Sequence, residues 1–443
     1  MKTIKNIIIT FTALASFAPA MAQKYVGGDI SMLPYYEQKG ATYYDHNRKN
    51  ISNVLSFFKD EGWNAMRVRL FVNPTKQTTN DSAPYSWSTD NNVCQDIEWV
   101  KSLGKRIKAA GFQFMLDIHY SDTWADPGKQ WTPEAWKNAD DTALGDSVYN
   151  YTVRVLKALT AAGAEPDFVQ TGNEISYGML WGRPNGTLKQ CWPSSPTANW
   201  TRFTNLLSKA TQAVRATTPS AKIILHVERV SSNTNLQKDN ANYAALTNFY
   251  KKMTAAKIDY DIIGLSYYPY FHGAMSELEG AIRKLEASYP SKKIMLVETG
   301  YPYAWAVPGS TYDASKIWAY SEDSDAGQKA YTDSLITMLN KHGNVNGLFW
   351  WWPEYNAKGT SLSGWYNAPL FDSRTGCATS ALSEMKKFLS TTNGISTIKK
   401  TDSRAQDDNY YNLSGQRISK PAKGVYIHRG HIINTQHLTP KRT

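Results

Sequence analysis

Eight short apolar runs, separated by segments of helical spacing, recur through the first 352 residues of this 443-residue chain. The runs have the length and composition of buried strands. They cover residues 25–29, 64–70, 112–119, 167–173, 222–228, 261–268, 293–298 and 347–352. Apolar residues at helical spacing occupy 92–110, 146–162, 200–216, 241–256, 275–288 and 325–342. Strands that alternate with helices in this way predict an α/β fold, a (β/α)8 barrel. A doubly wound open sheet is the alternative, which is less favoured because no Gly-rich phosphate loop follows any run.

The first 22 residues differ from the rest and predict a secretory signal peptide. Lys2 and Lys5 precede an apolar run at 7–15, and Ala20-Met21-Ala22 forms a small-x-small cleavage pattern. The run is shorter than the roughly 20 apolar residues of a membrane span, and no other segment approaches that length. We therefore expect no transmembrane segment and an exported protein that is periplasmic, displayed on the cell surface or secreted.

The C-terminal end is also distinct in composition. Polar residues dominate 390–408, which is typical of a linker. Residues 409–443 contain short strand-like runs around a glycine turn and predict a small β-rich tail for sorting or anchoring. The predicted barrel domain then occupies 23–389.

The net charge of +11 would normally suggest nucleic acid or an anionic membrane as a partner. Most of that charge lies at the ends of the chain. Residues 397–443 hold nine Lys or Arg against three acidic residues, and the first 22 residues hold two lysines, so 23–396 carries only +3. We therefore expect no nucleic-acid partner, and we expect a monomer. The three cysteines, Cys94, Cys191 and Cys377, allow one disulfide pair and match no zinc motif.

Two strand-like runs end in glutamate. Glu174 follows the fourth run and Glu298 ends the seventh, and the C-terminal strand ends of such barrels form the active site. Two carboxyl groups in a tryptophan-rich cleft are typical of glycoside hydrolysis, in which one protonates the leaving oxygen and the other attacks or activates water. The other interpretation is a structural ion pair with a neighbouring Arg or Lys. A separation of about 5–5.5 Å would indicate retention of configuration, but spacing in the sequence does not give it.

Four more polar residues are expected inside the barrel. Arg67 and Arg69 alternate with apolar residues, so both face the same side of the second strand. A buried arginine pair needs acidic partners, and we expect Arg69, nearer the strand end, to face the site while Arg67 forms a salt bridge in the barrel floor. Asp117 and His119 share one face of the third strand, and we expect them to line the site. The histidines show no metal-ligand spacing.

Aromatic residues gather at the ends of three runs, and flat rings suit the C–H faces of sugars. They are Trp124, Trp131 and Trp136 after the third run, Tyr267, Tyr268 and Tyr270 at the sixth, and Trp350, Trp351 and Trp352 at the eighth. With 15 tryptophans, none of them in the tail, the body has the composition of a carbohydrate-binding cleft.

Six segments together, and in this order, resemble glycoside hydrolase family 53, the endo-β-1,4-galactanases. They are 28–31 (GDIS), 67–74 (RVRLFVNP), 117–127 (DIHYSDTWADP), 170–174 (QTGNE), 297–302 (VETGYP) and 367–372 (NAPLFD). The resemblance extends from about residue 27 to 372. Each segment alone is a weak signal, whereas the ordered set is highly specific.

The resemblance implies a retaining enzyme that cleaves β-1,4-galactan or type I arabinogalactan, the side chains of pectin. It implies that Glu174 is the general acid/base and Glu298 the nucleophile, and that Asn173 binds the hydroxyl beside the reacting carbon. It also implies substrate-binding roles for Arg69, His119, Tyr267 and Trp351, to which we add Asp117, Trp124 and Asp126. No cofactor is implied. Some family members hold a structural calcium, and no run of oxygen ligands places one here.

One departure from the family pattern concerns the end of the eighth strand. The family often has Trp-Glu-Pro there, whereas this chain has Trp351-Trp352-Pro353 followed by Glu354. The sequence therefore does not determine which residues contact the sugars on the glycone side of the cleaved bond, or how long the products are. Two other functions remain as alternatives: a related two-glutamate barrel acting on another β-glycan, and a non-catalytic glycan-binding protein.

Overall fold

The structure is a computed structural model. It describes residues 23–77, 90–184, 186–232, 241–303, 324–356 and 368–390, together with four short strands after residue 409. The chain divides into two compact units, Met1–Thr391 and Thr392–Thr443. The predicted signal peptide and nearly all of the predicted linker lie outside the described residues.

Eight parallel strands close into a barrel, which confirms the predicted (β/α)8 fold and excludes the open sheet. They are β1 (Tyr25–Asp29), β2 (Ala65–Leu70), β3 (Gln113–Ile118), β4 (Phe168–Thr171), β5 (Lys222–Val227), β6 (Ile262–Tyr267), β7 (Lys293–Thr299) and β8 (Val345–Trp351). Each strand pairs with the next along the chain, and β8 pairs with β1 to close the ring.

Helices cover the outside of the barrel, with at least one after every strand. They are α1 (Leu33–Gln38), α2 (Val54–Asp60), α3 (Ile97–Ala109), α4 (Asp141–Ala161), α5 (Thr197–Thr217), α6 (Ala244–Ala255), α7 (Pro269–His272), α8 (Met275–Ser288), α9 (Asp325–Leu339) and α10 (Ser380–Glu384). The sequence pattern did not identify α1, α2, α7 and α10, each of which is under two turns long. The predicted start of α3 at residue 92 was too early. Asp96 accepts the Trp99 N–H, and this cap makes the helix begin at Ile97.

Alternate residues of each strand point into the barrel, and their character changes along the axis. The N-terminal layer is apolar and consists of Ala65, Met115, Phe168, Ile224, Ile262, Met295, Val297 and Phe349. Two residues further along the strands the interior becomes polar, with Arg67, Asp117, Gln170 and His226 all fully buried. The outward residues of β2, such as Val68, join the main core under the helices. This layering places a polar, hydrogen-bonded network directly beneath the C-terminal mouth.

The C-terminal unit contains a four-stranded antiparallel sheet, in agreement with the predicted β-rich tail. Its strands are β9 (Tyr410–Tyr411), β10 (Arg417–Ile418), β11 (Val425–His428) and β12 (His431–Asn434), in the order β10-β9-β11-β12. All three cysteines of the chain are free thiols, so the one disulfide that the sequence allowed is not formed. Among the described residues, no helix has the length and apolar character needed to cross a membrane.

Candidate active site

Glu174 and Glu298 meet at the C-terminal mouth of the barrel, as the sequence predicts for a catalytic pair. Glu298 lies in β7 and Glu174 three residues beyond β4, and one carboxylate oxygen of each lies within 4.8 Å of the other. Both line a cleft of about 520 Å³, a volume typical of ligand sites. The register of β7 shifts against β6 so that Glu298 stands opposite Ser266. A strand irregularity of this kind re-aims a side chain, and here it directs Glu298 toward Glu174.

Two neighbours of Glu298, Arg67 and Tyr268, stabilise its ionised form. Arg67 Nη2 lies 2.9 Å from Oε1, and the Tyr268 hydroxyl donates to Oε2 at 3.0 Å. Burial raises the pKa of Glu298 to about 7, and the charge of Arg67 and the hydroxyl of Tyr268 keep it from rising further. Arg67 and Tyr268 thus supply a cation and a hydrogen-bond donor to the ionised form of Glu298, the form that a nucleophile needs.

Arg67 organises the polar layer, which corrects the prediction that it belongs to the barrel floor. Besides its ion pair with Glu298, its guanidinium donates to Asp29 Oδ2 at 2.9 Å, Asp117 Oδ2 at 2.8 Å and Gln170 Oε1 at 2.9 Å. Asp29 also accepts from Arg69 Nη1 at 2.9 Å. The network thus contains three carboxylates and two guanidiniums, all buried. The prediction failed because strand tilt and register, which sequence position does not show, decide how far each side chain reaches along the barrel axis.

Glu174 differs from Glu298 in the charges that surround it. The Ser266 hydroxyl donates to its Oε1 at 2.7 Å. Burial raises the pKa of Glu174 well above its ordinary value, and the negative charges of Glu298 and Glu228 add to the rise. The backbone at Glu174 has a φ of +47°, an unusual value for a non-glycine residue, and follows Gly172 at +110°. The site therefore holds Glu174 as a carboxylic acid, the form that donates a proton.

Asn173 and His226 connect the two halves of the network. Asn173 Oδ1 accepts from Arg67 Nη2 at 2.9 Å, while its Nδ2 donates to the Ala125 carbonyl at 2.8 Å. His226 Nδ1 lies 3.0 Å from Asn173 Oδ1 and its Nε2 lies 2.8 Å from the Ser266 hydroxyl. Burial lowers the pKa of His226 well below its ordinary value, with the charge of Arg67 as the next cause. His226 is a neutral spacer that fixes Ser266 against Glu174.

A Tyr268→Phe substitution should reduce kcat/KM on the acidic side of the pH profile. The Tyr268 hydroxyl stabilises ionised Glu298, so its loss raises the Glu298 pKa and moves the acidic limb to higher pH. A hydrogen bond to a charged acceptor contributes about 1.5 kcal/mol or more, which corresponds to roughly tenfold in kcat/KM below that limb. Tyr267→Phe is the matched control, since the Tyr267 hydroxyl donates to the Gly273 carbonyl at 2.9 Å. Profiles with the same acidic limb in both variants would contradict the role of Tyr268.

The structure divides the eight predicted substrate-binding residues into two groups. Four of them line the cleft: Trp124, Asp126, Asn173 and Trp351. The other four are at most 1% exposed and lie outside the cleft lining: Arg69, Asp117, His119 and Tyr267. These four support the cleft from below. His119, for example, accepts the Ala125 N–H at Nδ1 and places Nε2 3.0 Å from Asp117 Oδ2.

Tyr268, and not Tyr267, contacts the catalytic pair. Successive strand residues point to opposite faces, and the inward position Ser266 is followed two residues later by Tyr268. The same alternation separates the tryptophans: Trp351 lines the cleft, while Trp350 is fully buried and donates to the Ala368 carbonyl. Trp131 and Trp136 are also core residues, with 7% and 9% exposure. Of the nine predicted aromatic platform residues, four line the cleft, and these three tryptophans, Tyr267 and Tyr270 are buried outside the cleft lining.

Four polar or aromatic cleft residues were not predicted from the sequence: Glu228, Arg229, Phe271 and His272. Glu228 directly follows β5 and lines the cleft, where Ser176 donates to its Oε2 at 2.6 Å. It is a third glutamate at a strand end, a signal that was present in the predicted strand at 222–228. Trp352, which was predicted as an aromatic platform residue, lines the cleft, with its backbone in the left-handed region at a φ of +57°. Trp352 is a departure from the family pattern, but the left-handed backbone conformation that turns it inward could not be predicted from the sequence.

Glu354 does not replace the acidic residue that the family often has one position before the proline. Its side chain is fully buried, Oε1 accepts the Met32 N–H at 3.0 Å, and Oε2 has no hydrogen-bond partner among the described residues. Burial raises the pKa of Glu354 well above its ordinary value, with the charge of Asp29 as the next cause. Glu354 is therefore part of the core beneath the cleft.

A Glu354→Gln substitution should stabilise the protein at alkaline pH. Because the folded-state pKa is raised, the wild-type contribution is present below the unfolded pKa and is lost as pH rises through the folded one. Glutamine keeps the acceptor for Met32 and carries no charge, so the free energy of unfolding should rise by about 1 kcal/mol at pH 8 and change little at pH 4. Urea unfolding at both pH values measures the difference. A difference independent of pH would contradict the buried-acid interpretation.

Within the described residues, one group has the closeness of a metal site: Glu174, His226 and Glu298. The donor atoms of these residues already serve the network. Both His226 nitrogens face hydrogen-bonding groups, Glu174 accepts from Ser266, and Glu298 accepts from Tyr268 and pairs with Arg67. The arrangement is that of a carboxylate pair poised for acid–base and nucleophilic chemistry.

A desolvated carboxylic acid beside an ion-paired carboxylate, at the C-terminal mouth of a (β/α)8 barrel, defines a glycoside hydrolase site of the two-glutamate type. Residues 25–385 match glycosyl hydrolase family 53 over most of the chain, and the protein belongs to that family. The resemblance carried by the six segments is thereby confirmed.

Similar proteins with known names agree with this assignment. An arabinogalactan endo-β-1,4-galactanase of Cellvibrio japonicus is 33% identical over 362 residues, which span 79% of this chain and 86% of that protein. A probable arabinogalactan endo-β-1,4-galactanase A of Neosartorya fischeri is 30% identical, over 86% of this chain and 98% of its own length. Among solved structures, the family 53 catalytic domain of Ignisphaera aggregans is 30% identical with a TM-score of 0.67, covering 83% of this chain and 97% of that one.

Proposed function

We propose that the protein is an endo-β-1,4-galactanase that hydrolyses galactan and type I arabinogalactan with retention of configuration. The observation that carries this proposal is the pair of carboxyl groups whose oxygens lie within 4.8 Å, with Glu298 ion-paired to Arg67 and Glu174 desolvated. Retaining glycosidases place their two carboxyl groups about 5–5.5 Å apart, whereas inverting ones leave room for a water molecule. The galactanase names of the family relatives support the choice of substrate.

The mechanism is a double displacement that uses only side chains of this chain. In the first step Glu298 attacks the anomeric carbon while Glu174 protonates the leaving oxygen, which produces a covalent glycosyl ester. In the second step Glu174, now ionised, takes a proton from water as the water oxygen attacks the same carbon and the ester to Glu298 breaks. Asn173, held between Arg67 and Ala125, is placed to bind the hydroxyl beside the reacting carbon. No cofactor is needed for either step.

Incubation with a panel of polysaccharides tests the proposal. Mature protein and linear β-1,4-galactan should give a rapid fall in chain length with release of short galacto-oligosaccharides, while β-mannan, xylan and mixed β-glucan remain intact. Cleavage of another glycan in place of galactan would support the related two-glutamate hydrolase. Binding of galactan without any release of reducing ends would support the non-catalytic reading.

The sequence also indicates the compartment in which the enzyme acts. We propose export through the signal peptide at 1–22, because galactan is too large to enter a cell intact, followed by function in the periplasm, at the surface or in the medium. The tail at 409–443 would then serve sorting or anchoring, and the catalytic domain would act as a monomer. Expression with and without 409–443, followed by cell fractionation, tests this assignment: the truncated protein should lose surface attachment and keep its activity on galactan.

A further inference from the structure

Trp124 belongs to a group of three tryptophan rings in the cleft, and its backbone is the least constrained of the three. Its ring centroid lies 6.1 Å from that of Trp351 and 6.4 Å from that of Trp352. Trp351 is the last residue of β8 and pairs with Asp29 in the barrel sheet, with Trp352 directly after it. Trp124 lies instead in the loop beyond β3, so the orientation of its indole depends on side-chain contacts.

Asp90 holds the edge of the Trp124 indole by a hydrogen bond. Trp124 Nε1 donates to Asp90 Oδ2 at 2.7 Å, and a bond to a carboxylate is roughly twice as strong as one between neutral groups. The two faces of the ring are restricted by packing. The Arg69 guanidinium lies 4.6 Å from its centroid, and the Phe71 ring meets it edge-on at 5.6 Å. The directed bond at Nε1 thus fixes the one rotation that packing alone leaves least defined.

The Asp90 carboxylate is itself held in place by its own segment of the chain. Its Oδ1 accepts the Asn92 N–H at 2.8 Å, and its backbone N–H donates to Gln77 Oε1 at 3.1 Å. Gln77 Nε2 in turn donates to the Val93 carbonyl at 3.3 Å. These bonds close a turn around Asp90 and leave Oδ2 directed at the indole.

The same segment also supports the two residues that pack against Trp124. The Asn92 carbonyl accepts from Arg69 Nη2 at 3.4 Å, and the Gln95 carbonyl accepts the Phe71 N–H at 2.9 Å. Residues 90–95, all of which the structure describes, lie outside the cleft lining. They can therefore act on a bound sugar only through the residues that they hold.

We propose that Asp90 is a positioning residue for carbohydrate binding, which fixes the plane of the Trp124 indole so that a sugar ring of the substrate can stack on it. The inference rests on the proposed galactanase function and adds to it a residue that acts through Trp124. A ring that is ordered before the substrate arrives loses little conformational freedom on binding, so the affinity is higher than for a ring that the sugar has to order. The bond lies outside the catalytic pair, so its loss should change KM and not kcat.

The test measures kcat and KM for Asp90→Ala and Asp90→Asn on linear β-1,4-galacto-oligosaccharides, by release of reducing ends. Asp90→Ala should raise KM about tenfold, the lower end of the range for a hydrogen bond to a charged group, with kcat within about twofold. Asp90→Asn keeps one acceptor oxygen, which can serve either Trp124 Nε1 or the Asn92 N–H. Its KM should therefore recover to within about threefold of wild type.

A second substitution shows whether the effect passes through the indole N–H. Trp124→Phe keeps a ring in the cleft but has no N–H to donate. In this background Asp90→Ala should change KM by less than about twofold, against about tenfold in wild type, and such non-additivity is the mark of a direct interaction.

Asp96→Ala is the matched control for a purely structural effect. Asp96 caps α3 a few residues further along the chain and has no bond to Trp124 among those of the described residues. Its loss should lower the unfolding temperature and leave KM unchanged. Asp90 is half-buried in a loop, so its variants should fold, and thermal unfolding of each one checks this.

Every other outcome counts against a defined statement. If Asp90→Ala keeps the wild-type KM, or lowers kcat at unchanged KM, Asp90 does not position the substrate. If it raises KM equally in the wild-type and Trp124→Phe backgrounds, the effect does not pass through the indole. If wild type releases no reducing ends, the proposed function fails, and calorimetric affinities for the same oligosaccharides test Asp90 by the same ratios. Absence of any binding would overturn both proposals.

Discussion

Replacing Glu298 with alanine should lower galactan hydrolysis by roughly 10⁴–10⁶-fold, the order of loss seen when a covalent nucleophile is removed. Without this carboxylate no glycosyl ester forms, and the acid Glu174 alone cannot complete the displacement. The Glu298→Gln variant, which keeps the size of the side chain, should lose activity to a similar extent. Initial rates of reducing-end release on linear galactan measure both variants.

The fold should survive these substitutions because of the charge balance around Arg67. The buried network holds Asp29, Asp117 and Glu298 against Arg67 and Arg69. Removing Glu298 leaves two carboxylates for two guanidiniums, and Arg67 keeps two ion pairs of its own. Thermal unfolding should therefore show a cooperative transition close to that of wild type. A variant that unfolds at ambient temperature would show that Glu298 is structural as well.

Azide distinguishes the role of Glu298 from a general loss of activity. In Glu298→Ala the small anion can enter the space of the lost carboxylate and attack the anomeric carbon of an activated aryl galactoside from that face. The product should be the α-galactosyl azide, identified by its anomeric proton coupling in NMR. Formation of the β-azide, or near-normal galactan hydrolysis, would contradict the assignment of Glu298 as the nucleophile.

Glu174→Ala should have an effect that depends on the leaving group. On galactan the leaving sugar hydroxyl needs a proton, so the rate should fall by about 10²–10⁴-fold. On an aryl galactoside with an acidic phenol the first step needs little protonation and should remain fast, whereas the second step lacks its base. Pre-steady-state kinetics should then show a burst of phenol followed by slow turnover.

The same variant should respond to azide with the opposite stereochemistry. Azide attacks the glycosyl ester on Glu298 without needing a base, which should speed turnover and give the β-galactosyl azide. Glu228→Gln is the matched comparison, since Glu228 also lines the cleft but lies paired with Arg229 and Ser176. It should keep activity on galactan and show no azide rescue. Equal losses on both substrates in Glu174→Ala would contradict its role as acid/base.

Much of the fold could be predicted from the sequence because the patterns that indicate strands and helices are local and repeated. The apolar runs predicted all eight strands to within a few residues, as the strand from Ala65 to Leu70 illustrates. The alternation in that strand also placed both arginines inside the barrel, where Arg67 and Arg69 are fully buried. Helix boundaries were less accurate where a cap such as Asp96 overrides the periodic pattern. The short helices α1, α2, α7 and α10 were not predicted because fewer than two turns give no clear period.

The candidate site was predictable in its chemistry and less so in its contacts. Glu174 and Glu298 were identified because both stand at strand ends, and strand ends of a parallel barrel converge. The role of Tyr268 was predicted for its neighbour Tyr267 instead. Which of these two tyrosines faces the cleft depends on the alternation of side chains at the end of β6, and the register of β7 against β6 sets that alternation. Strand register likewise decides which of the two buried arginines, Arg67 or Arg69, reaches Glu298.

Taken alone, the sequence determined the class of fold, the family and the identity of the two glutamates, because strand periodicity and the order of residue types are encoded along the chain. The tertiary structure alone decided how the surroundings of Glu298 and Glu174 differ. That difference comes from the Arg67 guanidinium and the Tyr268 hydroxyl on one side and from burial beside Glu298 and Glu228 on the other. Such effects depend on distances across the barrel between residues that are up to 231 positions apart, and no local pattern records them.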